Sequence, residues 1–296
     1  MRSNNHKTIL VTGATGFIGN YVIEEMLKYK VNIIASSILY EKENNHAWLK
    51  KVDYIQADLN ESIEDWFSFF GKPDMLIHLA WEGLPRYKEL FHIERNFFNN
   101  YFFLKNMIEN GLKKVVVSGT CFEYGMQSGA LKEDLETKPN TSYALAKDSL
   151  RKFLEQLQRK IDFDLKWIRV FYLYGKGQNP ISILSQLEAA LERGDNVFNM
   201  SGGKQLRDYL PVEKVAEYIA KISMQDKLSG VINCCSGEPI SIRKLVENHI
   251  AEKNKSIELN LGYYPYPDYE PMAFWGDTKK LNKALKSIYQ GSSQEL

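Results

Sequence analysis

Two side chains in this sequence stand at a spacing suited to proton transfer. Tyr143-Ala144-Leu145-Ala146-Lys147 puts a phenol and an ammonium at i and i+4, on one face of any helix that contains them. A phenol titrates near pH 10, and a neighbouring cation favours phenolate and lowers that value. Tyr143 can then give a proton to a carbonyl oxygen as hydride arrives, or accept one in reverse. Spacing alone is weak: with 17 tyrosines in 296 residues, chance predicts about 1.7 such pairs. Tyr101 and Lys105 form a second pair, inside Phe97-Phe98-Asn99-Asn100-Tyr101-Phe102-Phe103, which reads as packed helix. Position separates the two. Tyr143 follows the apolar run Val115-Val116-Val117, which ends in Ser118-Gly119-Thr120. A hydroxyl there, Thr120, faces the ligand crevice of a parallel sheet and can bond the reacting oxygen.

Hydride needs a carrier, and the sequence has a place for one. Thr12-Gly13-Ala14-Thr15-Gly16-Phe17-Ile18-Gly19 sits between a predicted strand and a predicted helix. Glycines at 13, 16 and 19 supply the turn, close approach to a pyrophosphate and tight helix–strand packing, with the helix amides aimed at the charge. The second strand ends in Ala35-Ser36-Ser37, with no carboxylate until Glu41. An acid there would bond the ribose of NAD; small hydroxyls instead suit a 2′-phosphate, so NADPH is expected, with NADH as the second choice. Asp58 follows the third strand, where it reaches an adenine amine or caps the next helix; Leu59 lies beside it. Leu79 and Ala80 end the fourth strand and complete the cofactor wall, and Asn96 bridges backbone behind the site, with Asn99 and Asn100 close by.

These residues need a sheet to hold them. Short apolar runs at 8–11, 31–35, 52–55, 75–79, 114–117 and 165–170 read as strands. Helical patterns at 16–28, 62–70, 90–110 and 142–159 separate them. That alternation predicts an α/β protein with a doubly wound parallel sheet. After Tyr174-Gly175 the rhythm breaks: helices near 181–193, 212–224 and 241–252 alternate with short strands near Val197, Leu210 and Val231. The chain thus reads as a dinucleotide-binding domain, 1–175, and a smaller mixed C-terminal substrate-binding lobe, 176–296, partly interleaved with the first. Lys+Arg (38) and Asp+Glu (37) nearly cancel, which argues against nucleic acid as a partner. No apolar run approaches the ~18 residues of a membrane span, and the start is polar without a leader pattern. Three cysteines form no CxxC; adjacent Cys234 and Cys235 would point to opposite faces of a strand. This is a reducing-compartment pattern, and a cytoplasmic location is expected.

Taken together, the glycine loop, strand-end Thr120, Tyr143-x-x-x-Lys147 and Arg169-Val170-Phe171-Tyr172-Leu173-Tyr174-Gly175 resemble the extended short-chain dehydrogenases/reductases. The nucleotide-sugar epimerase/dehydratase/reductase branch fits best. Arg207-Asp208-Tyr209-Leu210-Pro211-Val212 and Asn233-Cys234-Cys235-Ser236-Gly237 are similar to its later segments, so the likeness covers nearly the whole chain in order. The resemblance implies a Rossmann fold, Tyr143, Lys147 and Thr120 as the catalytic set, and Lys147 also on the nicotinamide ribose. It further implies substrate diphosphate on Arg207, with Tyr172 and Asn179 lining the same cleft and Trp81 capping the pocket. Arg207 paired with Asp208 is the plainer reading. A homodimer through the helices carrying Tyr101 and Tyr143 is also implied. Lys176 stands where the branch often has proline.

Departures from the branch narrow the reaction. Dehydratases carry an Asp-Glu pair directly after the strand-end threonine, and here Cys121-Phe122 stand there. Enzymes that invert C3 and C5 carry a cysteine and a histidine at places held here by Phe122 and Gly177. What remains is reduction of a 4-keto sugar nucleotide or NAD-dependent 4-epimerisation. Gly119 to Gly125 and His78 to Pro85 are similar to reductases of dTDP-4-keto-6-deoxyhexoses, so 4-ketoreduction is the expectation and 4-epimerisation the alternative.

Overall fold

The computed structural model describes residues 6–39 and 46–289; Glu41 and the first five residues lie outside them. Fourteen strands follow in chain order among the described residues: β1 (Thr8–Thr12), β2 (Asn32–Ser37), β3 (Asp53–Gln56), β4 (Met75–His78), β5 (Lys114–Thr120), β6 (Gly129–Leu131), β7 (Asp164–Val170), β8 (Tyr172–Tyr174), β9 (Val197–Met200), β10 (Leu206–Pro211), β11 (Gly230–Cys234), β12 (Pro239–Ser241), β13 (Glu258–Leu261) and β14 (Phe274–Gly276). The helices are α1 (Phe17–Met26), α2 (Trp66–Phe69), α3 (Phe98–Glu109), α4 (Ser142–Gln158), α5 (Ile183–Arg193), α6 (Val212–Met224), α7 (Ile242–Glu252) and α8 (Lys279–Tyr289).

Seven strands form one parallel sheet in the order β11-β7-β5-β4-β1-β2-β3. Both faces are covered, which is why its strands are apolar throughout instead of alternating. In β1, Ile9 and Val11 point into the core under α1, α6 and α8, while Leu10 points to the core under α3 and α4. This is the doubly wound fold, and the strand order reverses between β1 and β4, where such sheets open a crevice.

The sheet draws on both sides of residue 175. Strand β11 pairs with β7, and α6 and α8 pack on the sheet with α1. The remaining lobe holds β8-β10-β12 and β9-β13, with α5 and α7 around a small core of Leu187, Phe198 and Val246. Strand β14 pairs with β6.

Local chemistry explains where elements depart from expectation. Helix α2 is one turn, not 62–70, because Asp65 caps it by accepting from the Ser68 amide at 2.9 Å. The segment expected as a helix over 90–110 opens with a wide π-type turn, His92–Phe97, before α3; such turns are frequent at functional sites. Strand β5 runs three residues beyond 117, so Thr120 lies on the strand itself. Helix α4 begins where the Thr141 hydroxyl accepts from the Ala144 amide at 3.2 Å, which sets Tyr143 and Lys147 in its first turns.

Candidate active site

The carboxyl ends of the parallel strands border two cavities that meet at Trp81. The first, about 240 Å³, is lined by Gly13, Gly16, Ser36, Ser37, Asp58, Leu59, Ala80 and Asn96 among others, so eight predicted cofactor residues come together. Gly13 has φ +70°, and a Cβ there would lie 2.7 Å from the Ala80 nitrogen. A Cβ on Gly19, behind the loop, would sit 2.0 Å from the Gly13 carbonyl oxygen. Gly16 stands at the N-cap of helix α1 and offers no side-chain cap, leaving the first helical amides for an anion. The cradle therefore fits a dinucleotide pyrophosphate. Phe17 lines neither cavity; its ring packs edge-on against Tyr21. Asp58 accepts from the Asn60 backbone and side-chain amides at 2.9 and 2.7 Å, a local turn and not a helix cap. Asn96 donates to the Glu82 carbonyl at 3.0 Å, holding the loop after β4, while Asn99 and Asn100 are bonded elsewhere.

The sheet below this cavity carries a buried histidine. His78 contacts the Thr12 hydroxyl through Nδ1 at 2.8 Å and Asn100 Oδ1 through Nε2 at 2.7 Å. Because the amide oxygen only accepts, Nε2 carries the proton. Burial pushes its pKa down to about 3, so it stays neutral and knits β1, β4 and α3.

The second cavity, about 230 Å³, gathers Thr120, Tyr143, Lys147, Tyr172, Ile18, Leu79 and Trp81, all predicted, with Tyr87, Phe122 and Gln178. Lys147 is 1% exposed. Its Nζ donates to the Ser118 carbonyl at 2.9 Å and lies 4.0 Å from the centre of the Trp81 indole, a cation–π contact. Burial lowers Lys147 to about 7, with the Glu123 carboxylate acting against that fall. Tyr143 differs from expectation. Burial raises its phenol well above the usual range; the Tyr87 and Glu123 fields add to this, and a hydrogen bond with Thr120 opposes it. Lys147 Nζ is engaged with the Ser118 carbonyl and the Trp81 indole. Burial likewise keeps Tyr87, Tyr172 and the Cys121 thiol protonated. Trp81 donates from Nε1 to His92 Nδ1 at 3.1 Å, and His92 Nε2 donates to the Arg86 carbonyl at 3.0 Å. The indole is thus held in place by the wide turn.

Two predicted substrate residues lie away from this cavity. Asn179 is exposed, and its side chain accepts from the Ile181 amide at 3.0 Å; Gln178 lines the cavity instead. Arg207 is buried and lines neither cavity. Its Nε and Nη2 reach Glu270 Oε2 at 3.0 and 2.7 Å, so the partner is Glu270 and not Asp208. Asp208 accepts from the Ser236 and Gly237 amides at 2.6 and 2.8 Å. The Tyr172 hydroxyl, beside this guanidinium, is buried without a formed hydrogen bond. The pair Tyr101 and Lys105 is structural: Tyr101 stacks with Phe97 and meets Phe153, and Lys105 faces Glu109. Sequence reasoning missed Tyr87, Gln178 and Glu123. Tyr87 comes from a loop with no readable period, whereas Thr120-x-x-Glu123 is a capping-box spacing visible in the sequence.

The chain is 31% identical over 270 residues to the dTDP-6-deoxy-L-talose 4-dehydrogenase (NAD(+)) of Aggregatibacter actinomycetemcomitans, covering 90% of this chain and 98% of that one. It is 24% identical over 265 residues to the dTDP-4-dehydro-6-deoxyglucose reductase of Escherichia coli, covering 83% and 82%. The structure of a UDP-glucuronic acid 4-epimerase from Bacillus cereus, in complex with UDP-glucuronic acid and NAD, superposes with a TM-score of 0.80 at 23% identity, covering 95% of this chain and 93% of that one. Residues 9–235 match the NAD dependent epimerase/dehydratase family, and the chain belongs to that family.

Proposed function

We propose that this protein reduces the 4-ketone of a dTDP-linked 4-keto-6-deoxyhexose to an alcohol. One observation carries the reading: among the described residues, no aspartate, glutamate or histidine lines the catalytic cavity, and the Cys121 thiol that does is held protonated by burial. Elimination of water or inversion beside a carbonyl needs a base to remove a carbon-bound proton. Thr120, Tyr143 and Lys147 suffice for redox chemistry at one carbon. The protonated Tyr143 phenol donates its proton to the forming alkoxide, the Thr120 hydroxyl bonds that oxygen, and the Lys147 ammonium offsets the negative charge left on the phenol. When bound, a nicotinamide dinucleotide supplies the hydride. Gly13, Gly16 and Gly19 make room for its pyrophosphate; Ser36, Ser37, Asp58, Leu59 and Asn96 enclose its adenosine end.

For the cofactor we infer NAD(H) in place of the NADPH expected from the sequence. No lysine or arginine lines the first cavity among the described residues, and the Ser37 hydroxyl is taken up by the Tyr54 hydroxyl at 2.6 Å. The relative that acts on dTDP-6-deoxy-L-talose with NAD(+) supports both the 4-position and this cofactor. Exposed Phe98, Phe102, Leu145 and Phe153 on α3 and α4 support a homodimer through these helices, and three free buried cysteines support a cytoplasmic location.

The test is oxidation of NADH and NADPH by the purified protein against a panel of 4-keto sugar nucleotides. Stoichiometric oxidation with the dTDP-4-keto-6-deoxy member is the expected result. Firmly retained NAD, with interconversion of 4-epimers and no net cofactor consumption, would instead establish the 4-epimerase.

A further inference from the structure

Behind the catalytic cavity lies a carboxylate that touches no cavity surface. Glu123 is 0% exposed and does not line the cavity, so it cannot exchange protons with a substrate. Its bonds run to the segment that presents the reactive groups. Oε1 accepts from the Thr120 amide at 2.9 Å and from Trp167 Nε1 at 2.9 Å. Oε2 accepts from Arg169 Nε at 2.7 Å, and Arg151 Nε stands 3.8 Å away. The Thr120 hydroxyl returns the contact by accepting from the Phe122 amide at 3.3 Å, closing a capping box around the end of β5.

Gly119 shows how tightly this is built. A Cβ there would stand 2.1 Å from Trp167 Nε1 and 2.5 Å from Glu123 Oε1. On one side of Gly119, Ser118 offers the carbonyl that receives Lys147; on the other, Thr120 gives its amide to Glu123. One three-residue stretch therefore binds the lysine at its front and the carboxylate at its back.

We propose that Glu123 is a positioning residue for the active site: it fixes the strand end that carries Thr120, and its buried negative charge offsets the desolvation of the Lys147 ammonium. This rests on the roles given above to Thr120 and Lys147. The other groups around Lys147 do not do this work. His78 on β4 and His92 on the wide turn are kept neutral by burial. Tyr143 on α4 and Cys121 after β5 are held protonated. Asp148, next on α4, is turned to Thr137, Arg151 and Lys152. Arg169 on β7 is cationic and bonded to Glu123 itself. That leaves Glu123, whose field opposes the fall of Lys147.

The experiment follows Lys147 directly, in full-length protein labelled with [ε-13C]lysine, the Lys147 resonance being identified by its loss in Lys147→Arg. Wild type titrates near 7. In Glu123→Gln, which keeps an oxygen acceptor for the Thr120 amide, the midpoint falls by about one pH unit or more. Turnover at pH 7 falls about tenfold with the KM for sugar nucleotide within about twofold, and the alkaline limb of the kcat profile moves to lower pH. A folded variant whose Lys147 titrates where wild type does, or whose turnover loss is the same at every pH, overturns the proposal. If Arg169 left without its partner prevents folding, the double variant E123Q/R169Q is compared with Arg169→Gln alone: a lower Lys147 midpoint in the double variant is expected, and equal midpoints overturn the proposal. The titration needs no substrate. A protein inactive on every 4-keto sugar nucleotide yet shifted in this measurement refutes the proposed reaction and leaves the role of Glu123 standing.

Discussion

On the α1 side of Trp81 the cleft combines the glycine loop, contiguous positions of one strand–loop–helix unit, with polar side chains at or after the ends of β2, β3 and β4. On the α4 side it is made of side chains drawn from β5, α4, β8 and the loop after β4. The first cavity is lined chiefly by glycines, small hydroxyls and amides. The second holds a lysine lowered to about 7 and phenols raised by burial. One half holds its ligand by shape, whereas the other adjusts acidity through desolvation.

That contrast can be broken. Tyr143→Phe should lower turnover by roughly 10²- to 10⁴-fold, the range for losing a general acid, while dinucleotide affinity by fluorescence titration stays within about twofold. Equal losses in both would mean the two halves are not separable. In the opposite sense, Gly13→Ala should weaken dinucleotide binding about tenfold or more, since the new methyl meets Ala80 backbone at a positive φ. Turnover at saturating dinucleotide should change far less.

A pH series sharpens the comparison. Turnover should fall as pH rises past about 7, where Lys147 loses its proton. Stability moves the other way. Below about 7 the folded chain carries a desolvated cation; between there and about pH 10 the unfolded chain binds the proton that the folded chain has released. Unfolding free energy from this residue therefore rises with pH. Lys147→Met lacks this dependence, so its urea-midpoint advantage over wild type should shrink from pH 6.5 to 9. A constant difference would place the titration of Lys147 outside that window. The smallest effect separates neighbours: Gln178→Ala should raise the sugar-nucleotide KM a few-fold, and Asn179→Ala should leave it unchanged.

The two halves also differed in how readily the sequence disclosed them. Gly13, Gly16 and Gly19 announce their geometry because a turn, a strand and a helix start within eight residues. Tyr143 and Lys147 share a helix face, so their proximity was legible as well. Their acidities were not, because desolvation depends on Trp81, Tyr87 and Phe122, which arrive from distant segments. Arg207 shows the same limit: its partner Glu270 lies 63 positions away, and no local pattern joins them. Strands of three residues, such as β6, β12 and β14, carry too few side chains for a period of two to be recognised. Strand β11 is legible as a strand but reads as part of the lobe, since sequence order does not reveal that it returns to lie beside β7.

That return has a mechanical consequence. The chain leaves the large sheet after β7, re-enters it at β11, departs again for β12 to β13, and comes back through β14 to reach α8 against the sheet. Severing it at residue 175 would strip β7 of its outer neighbour and expose a raw strand edge, leaving two fragments each missing part of a shared interior. With so many threads stitched across the boundary, the lobe has no single hinge about which to swing.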